Sequence, residues 1–273
     1  MVNAFYPKTL VQALQAKSEN PSLVPYAGGT DLMVNPKEGA QFLFINGIAE
    51  LKEIAAAPGS LSIGACCTYT GLLESKKMPG VLHRSIIEIA SPAIRNMGTV
   101  GGNICNASPA GDTLPPLYAL DARVRLASVR GTREIPLATF ILGVRRIDLA
   151  PDELLVSVIL PGQDFTQGYY KKIGARSAVA ISKVSFAAFK KVEGGVVAAI
   201  PMAFGSVAET VVRSPEIESA LIGKTPEEVR ATAEAVVQMY DPLIKPIDDQ
   251  RSTAQYRKKV CLALLADFLS GGG

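Results

Sequence analysis

Short apolar runs closed by turn residues alternate along this chain with apolar positions at helical spacing, and the balance between them changes near residue 160. Leu10, Val11 and Leu14 share one face of a helix expected over 7–17, with Pro7 near its start. Residues 22–27, 42–45 and 61–65 are apolar runs of strand length. Helical spacing returns over 69–75 and 79–89. Ser91-Pro92 ends the second of these, because the residue before a proline disfavours helical backbone. Pro115-Pro116 then punctuates the chain before a short helix at 117–120 and strands at 123–128 and 154–160.

Pro161-Gly162 breaks the pattern and places a lobe boundary within 160–167. Beyond it the pattern predicts strands over 168–173, 183–192 and 196–204, with Glu193-Gly194-Gly195 as a hairpin turn. Helical runs follow over 215–222, 226–240 and 252–270. Strands followed by helices predict an α+β lobe, an antiparallel sheet carrying helices on one face. Tyr256, Val260, Leu264 and Phe268 form a stripe on the last helix and are expected in its core.

Composition narrows the classes of function. The chain has 273 residues, 48% of them hydrophobic, enough for a substantial core in two lobes. Lys and Arg exceed Asp and Glu by 28 to 25, with no basic run to track a nucleic acid, and Trp is absent. Met1 to Pro7 lacks the charged and apolar regions of a secretory signal, and the most apolar stretch, 196–204, is interrupted by Pro201. A cytoplasmic protein without a membrane span is expected. Cys66, Cys67, Cys105 and Cys261 lack the spacing of zinc or iron–sulfur ligands. His83 is the only histidine, which argues against a Ser-His-Asp or His-rich metal mechanism. Redox chemistry would then require a bound organic cofactor.

Two glycine segments carry the candidate chemistry. One is Ala27-Gly28-Gly29-Thr30-Asp31-Leu32, after the strand that holds Pro25 and Tyr26. The other is Thr99-Val100-Gly101-Gly102-Asn103-Ile104, followed by Asp112. Paired glycines let several N–H groups converge on an anion, and a carboxylate such as Asp112 suits hydroxyl groups. Two such turns suit a dinucleotide. A G-x-G-x-x-G turn between a strand and a helix is absent, so a Rossmann fold is not expected.

Ala27-Gly-Gly-Thr-Asp-Leu32, Thr99-Val-Gly-Gly-Asn-Ile104 and Asp112-Thr-Leu-Pro-Pro-Leu-Tyr-Ala-Leu-Asp121 resemble the FAD-binding subunits of the molybdenum hydroxylases. That family includes xanthine dehydrogenase, aerobic carbon monoxide dehydrogenase and nicotinate dehydrogenase. The resemblance continues through Glu153-Leu154-Leu155, Tyr170-Lys171-Lys172-Ile173-Gly174-Ala175-Arg176 and Ser252-Thr-Ala-Gln-Tyr-Arg257, and covers nearly the whole chain.

The resemblance implies a vanillyl-alcohol-oxidase-type FAD-binding fold. Its FAD-binding domain would span 1–163, with subdomains of about 1–57 and 58–163, and a C-terminal α+β domain would span 164–273. It implies FAD on this chain, with the pyrophosphate on the N–H groups of 26–32 and 99–103 and Asp112 on the ribityl hydroxyls. Leu155 would lie against the flavin ring and Lys172 near it, with Ile89 near the adenine or flavin. A positive charge near the ring raises its potential as an electron acceptor. Val179-Ala180 stands where some members carry acids that influence the choice of acceptor. The implied role is electron transfer from 2Fe-2S clusters to NAD or another acceptor. A large molybdopterin subunit and a small 2Fe-2S subunit would be partners, assembled as a dimer of heterotrimers. From the residues alone, a stand-alone flavin oxidase or reductase and a non-catalytic FAD-binding module remain open.

Overall fold

In the computed structural model, residues 4–36, 38–162 and 164–272 are described. Met1 to Asn3, where the leader reading begins, Gln163 at the expected domain boundary, and Gly273 lie outside the described residues. The chain forms two compact units that do not follow one another in sequence. The first takes the chain up to Met78 together with Ser91–Ala107 and Asp121–Gly162. The second takes Pro79–Ala90, Ser108–Leu120 and the chain after Gly162.

In the first unit, β1 (Ala4–Phe5), β2 (Val24–Tyr26) and β3 (Phe42–Phe44) form a parallel sheet in the order β1-β3-β2. The helix Leu10–Glu19 connects β1 to β2. It starts later than the sequence pattern predicts because Thr9 caps it, accepting from the Gln12 N–H at 3.3 Å. Ala13 packs on Leu23, Leu43, Ile45 and Ile48 in the core. Val11, expected on the buried face, is exposed. Lys17 is buried, with Nζ donating to the carbonyls of Pro21 and Leu23 at 2.7 and 2.6 Å.

A five-stranded antiparallel sheet completes the unit's frame. It contains β4 (Ile54–Ala57), β5 (Ser60–Gly64), β6 (Arg123–Ser128), β7 (Gly131–Pro136) and, after a hairpin of β8 (Ile141–Gly143) and β9 (Arg146–Ile147), β10 (Leu154–Pro161). Their order is β4-β5-β10-β6-β7, which puts the apolar β10 in the centre. Ser91 does not end a helix before a loop, as the sequence pattern predicts. Its hydroxyl caps a new helix, Pro92–Met97, because a proline fits the first turn where no N–H is needed.

The second unit is built on β11 (Gln167–Ile173), β12 (Val184–Glu193), β13 (Val196–Ala199), β14 (Met202–Gly205) and β15 (Val212–Arg213). The antiparallel order is β11-β12-β14-β15, and β13 also pairs with β12. The single strand expected over 196–204 is two strands, divided around Pro201, which has no N–H for the ladder. Phe186 stacks on Phe204 at 4.5 Å, within a core that includes Tyr169, Tyr240, Cys261, Leu265 and Phe268.

Helices Pro215–Ser219, Pro226–Ala231, Ala233–Tyr240 and Ala254–Leu269 pack in this unit with Gly80–Ile87 and Leu114–Ala119. The helix expected over 226–240 is interrupted at Thr232, whose Oγ1 donates back to the Val229 carbonyl at 3.0 Å. On the last helix the buried face is Arg257, Cys261, Leu265, Phe268 and Leu269, one position round from the expected stripe. Only Phe268 of that stripe is fully buried, and Tyr256 is exposed. Pro115 and Pro116 lie in the first turn of their helix instead of before it.

Candidate functional site

The first glycine segment leaves the carboxyl end of β2, the end of a parallel sheet where ligands commonly bind. Pro25 and Tyr26 close the strand opposite Leu43 and Phe44. Gly29 adopts φ +69°, and a Cβ there would collide with the Tyr26 ring. Gly28 lies so close to the Met97 carbonyl that no Cβ would fit. Ala27 packs on the edge of the core, and Thr30 Oγ1 faces Gly98.

Among the described residues, the backbone N–H groups of Gly28, Gly29, Thr30, Asp31 and Leu32 find no acceptor. All of these residues except Asp31 are half-buried. Buried N–H groups are nearly always paired, so this run of donors suits an anion. Arg145 stands beside it. Its Nη1 donates to Asp31 Oδ2 at 3.4 Å and to Asn106 Oδ1 at 3.2 Å, from a backbone with φ +55°.

The second glycine segment is a helix. Thr99 caps Val100–Asn106, its Oγ1 accepting from the Gly102 N–H at 3.1 Å. Val100 N–H donates to Cys67 at 3.1 Å, Gly101 N–H to Ala65 at 2.9 Å and Asn103 N–H to Thr99 at 3.0 Å. The N–H groups of 100–103, expected to face a phosphate, are thus engaged within the protein. Gly101 serves packing. A Cβ on Gly101 would stand 2.6 Å from that of Ala65, whereas one on Gly102 would meet only the Thr99 hydroxyl, at 2.9 Å. Ala65 N–H donates to the Val156 carbonyl at 2.9 Å, which sets this helix beside β10. Leu155, next along β10, is buried opposite Leu126.

Asp112, Lys172 and Ile89 fall in the second unit. Lys172 Nζ donates to Asp112 Oδ2 at 2.7 Å and to the Glu88 carbonyl at 2.8 Å, next to Ile89 at the end of Gly80–Ile87. Ser182 Oγ donates to Asp112 Oδ1. Burial pushes the Asp112 carboxyl above its usual range, while the Lys172 ammonium and the Ser182 hydroxyl oppose that shift. Burial likewise raises Glu88, against the pull of Lys172. The sequence singled out Asp112 and Lys172 separately. It carried no signal for Ser182 or the Glu88 carbonyl, which reach Asp112 and Lys172 only through the fold.

Taken each by itself, the first cluster offers unpaired N–H donors suited to a diphosphate, and the second a fixed buried carboxylate with acceptor capacity left for hydroxyl groups. Cys66 and Cys67 are buried, and burial pushes the Cys66 thiol up to about 12. Among the described residues no group of His, Cys, Asp and Glu could hold a metal ion, and no helix is long and apolar enough to cross a membrane.

Residues 1–163 match the family described as FAD binding domain in molybdopterin dehydrogenase, and 169–271 match the CO dehydrogenase flavoprotein C-terminal domain. The chain belongs to this FAD-binding family. It is 33% identical over 221 residues to the xanthine dehydrogenase FAD-binding subunit of Escherichia coli O157:H7, covering 77% of this chain and 75% of that one. It is 31% identical over 237 residues to the nicotinate dehydrogenase FAD-subunit of Eubacterium barkeri, covering 77% and 79%. The structure of carbon monoxide dehydrogenase from Hydrogenophaga pseudoflava superposes with a TM-score of 0.88 at 25% identity, over 97% of this chain and 94% of that one. The mixed fold with antiparallel sheets is thus shared with a member of the FAD-binding family, and the relatives are subunits of oxidoreductases.

Proposed function

We propose that this FAD-binding subunit transfers electrons within a heterotrimeric molybdenum hydroxylase of the cytoplasm. The residues from Gly28 to Leu32 and Asp112 would hold FAD, which would supply one- and two-electron chemistry toward NAD or another acceptor. The observation that carries the reading is the run of unpaired N–H groups from Gly28 to Leu32, on residues that are half-buried except for Asp31, in a chain of this family. These donors take the pyrophosphate, each such bond to a charged acceptor contributing roughly 1.5–3 kcal/mol. Pro25, Tyr26 and Ala27 set the approach of that loop. Residues 99–103, also assigned to the cofactor in this reading, follow Gly98, which lies beside Thr30 of that loop.

Asp112, held by Lys172 and Ser182, accepts from hydroxyl groups of the cofactor. Lys172 places a positive charge near the ring, and Leu155 and Ile89 supply apolar contact. This use of FAD belongs to a vanillyl-alcohol-oxidase-type arrangement, with an FAD-binding domain of 1–163 in two subdomains and a C-terminal domain of 164–273. The relatives' names as FAD subunits support partner subunits; in this reading those partners carry the molybdopterin and the 2Fe-2S clusters, and the complex is a dimer of heterotrimers.

Native purification with the flanking gene products tests the reading. Three polypeptides carrying FAD, molybdenum and iron in the complex are expected, with FAD retained by this chain alone. Substrate oxidation by the metal-free single chain would overturn it in favour of a stand-alone oxidase. A folded chain that takes up no FAD would remove the cofactor assignment itself.

A further inference from the structure

Tyr169 and Tyr170 point to opposite sides of β11, as neighbours in a strand must. Tyr169 lies in the apolar core with Phe186 and Phe268. Tyr170 shares its side of the strand with Lys172, which reaches Asp112 and the Glu88 carbonyl. The residue is 7% exposed, and its hydroxyl is buried with no hydrogen-bond partner among the described residues. The charges of Asp112 and Glu88 reach it, and with burial they hold the phenol well above its ordinary range. It therefore stays a neutral O–H, able to donate and to accept.

An unpaired buried hydroxyl among charged groups is costly unless something completes it. Asp112 has Ser182 on one oxygen and Lys172 on the other, which leaves each oxygen an acceptor position. The occupant that suits both groups is an alcohol. Its O–H donates to the carboxylate and its oxygen accepts from Tyr170. A phosphate does not suit this place, because Asp112 would repel it and the Lys172 charge is already engaged.

We propose that Tyr170 is a further cofactor-binding residue, whose hydroxyl donates to an alcohol group of the FAD polyol chain that in turn donates to Asp112. This rests on the FAD reading above. Tyr170→Phe in the full chain tests it, with FAD and ADP affinities and the thermal midpoint measured for both proteins. The variant should bind FAD about fivefold more weakly, since one neutral hydrogen bond is lost. ADP, which lacks the polyol chain, should bind unchanged. The ligand-free midpoint should be unchanged or higher, because a buried unpaired group has been removed.

Unchanged FAD affinity would overturn the proposal. So would an equal loss for ADP, or a lower ligand-free midpoint without a change in FAD affinity, which would mark a structural hydroxyl. Failure of the unsubstituted chain to bind FAD would overturn the cofactor reading and this inference together. Normal binding by both proteins would overturn only the inference.

Discussion

Lys172 and Asp112, 60 positions apart in the chain, meet as an ion pair with Nζ and Oδ2 2.7 Å apart and both side chains less than a tenth exposed. Without the ammonium, the carboxylate keeps only the Ser182 hydroxyl against its burial. Lys172→Met should therefore destabilise the fold by about 3–5 kcal/mol at neutral pH. Adding Asp112→Asn should recover part of that loss. Because the stranded carboxyl has its folded pKa raised further, the single variant should approach the parent at low pH. It should lose stability as pH rises through the raised value. Urea unfolding across pH measures this; an equal loss at all pH values would contradict it.

Gly101 and Gly102 are adjacent but should respond differently. Gly101→Ala drives a Cβ into the Ala65 backbone and should cost about 1–3 kcal/mol, the range for overpacking. Gly102→Ala meets one hydroxyl and should cost clearly less. Ligand-free thermal unfolding of the two variants decides this, and equal losses would show that the helix shifts to absorb either methyl.

Arg145 brings a positive charge next to the Gly28–Leu32 donors through its contact with Asp31. Arg145→Gln keeps hydrogen-bonding groups but removes that charge. If the donors take a diphosphate, FAD should bind about tenfold more weakly, as expected for one charge-assisted hydrogen bond. The salt dependence of binding should become shallower. Fluorescence titration in low and high salt reads both effects.

Arg133 holds Glu153 through Nε to Oε1 at 2.8 Å and Nη2 to Oε2 at 2.8 Å. These hydrogen bonds, with the Ala150 N–H, keep the Glu153 carboxyl below its usual range against its burial. A depressed carboxyl contributes stability above its unfolded pKa and loses it as pH falls through the folded value. Glu153→Gln should then cost about 1–2 kcal/mol at pH 7, allowing for solvent around the guanidinium. The difference from the parent should begin to shrink as pH falls past the unfolded value of about 4.3 and vanish only below the depressed folded value. Persistence of the full difference at pH 3 would assign the loss to packing instead of charge.

Strand β6, Arg123–Ser128, matches the sequence expectation because turn residues mark both of its ends. The helices were harder to delimit where local hydrogen bonding competes, as at Thr232 and Ser91. The glycine pairs were visible in the sequence, but not which N–H groups stay unpaired. That depends on Ala65 and Cys67, over thirty positions before the helix they engage. Asp112 was visible beside its motif. Ser182 and Tyr170 carry no such mark, because nothing local distinguishes them from an ordinary loop residue and an ordinary strand residue. Their surroundings are made by segments distant in the chain.

The path of the chain has a consequence for its biosynthesis. It passes from one unit to the other after Met78, Ala90, Ala107, Leu120 and Gly162. The first unit has all its segments once Gly162 has left the ribosome, but Pro79–Ala90 and Ser108–Leu120 must then wait for β11 and β12. The nascent chain therefore carries the partners of Lys172 and Ser182 long before either residue is synthesised. A fragment ending at Gly162 would strand the buried faces of both early segments and invite aggregation, whereas one beginning at β11 would lack Asp112 altogether.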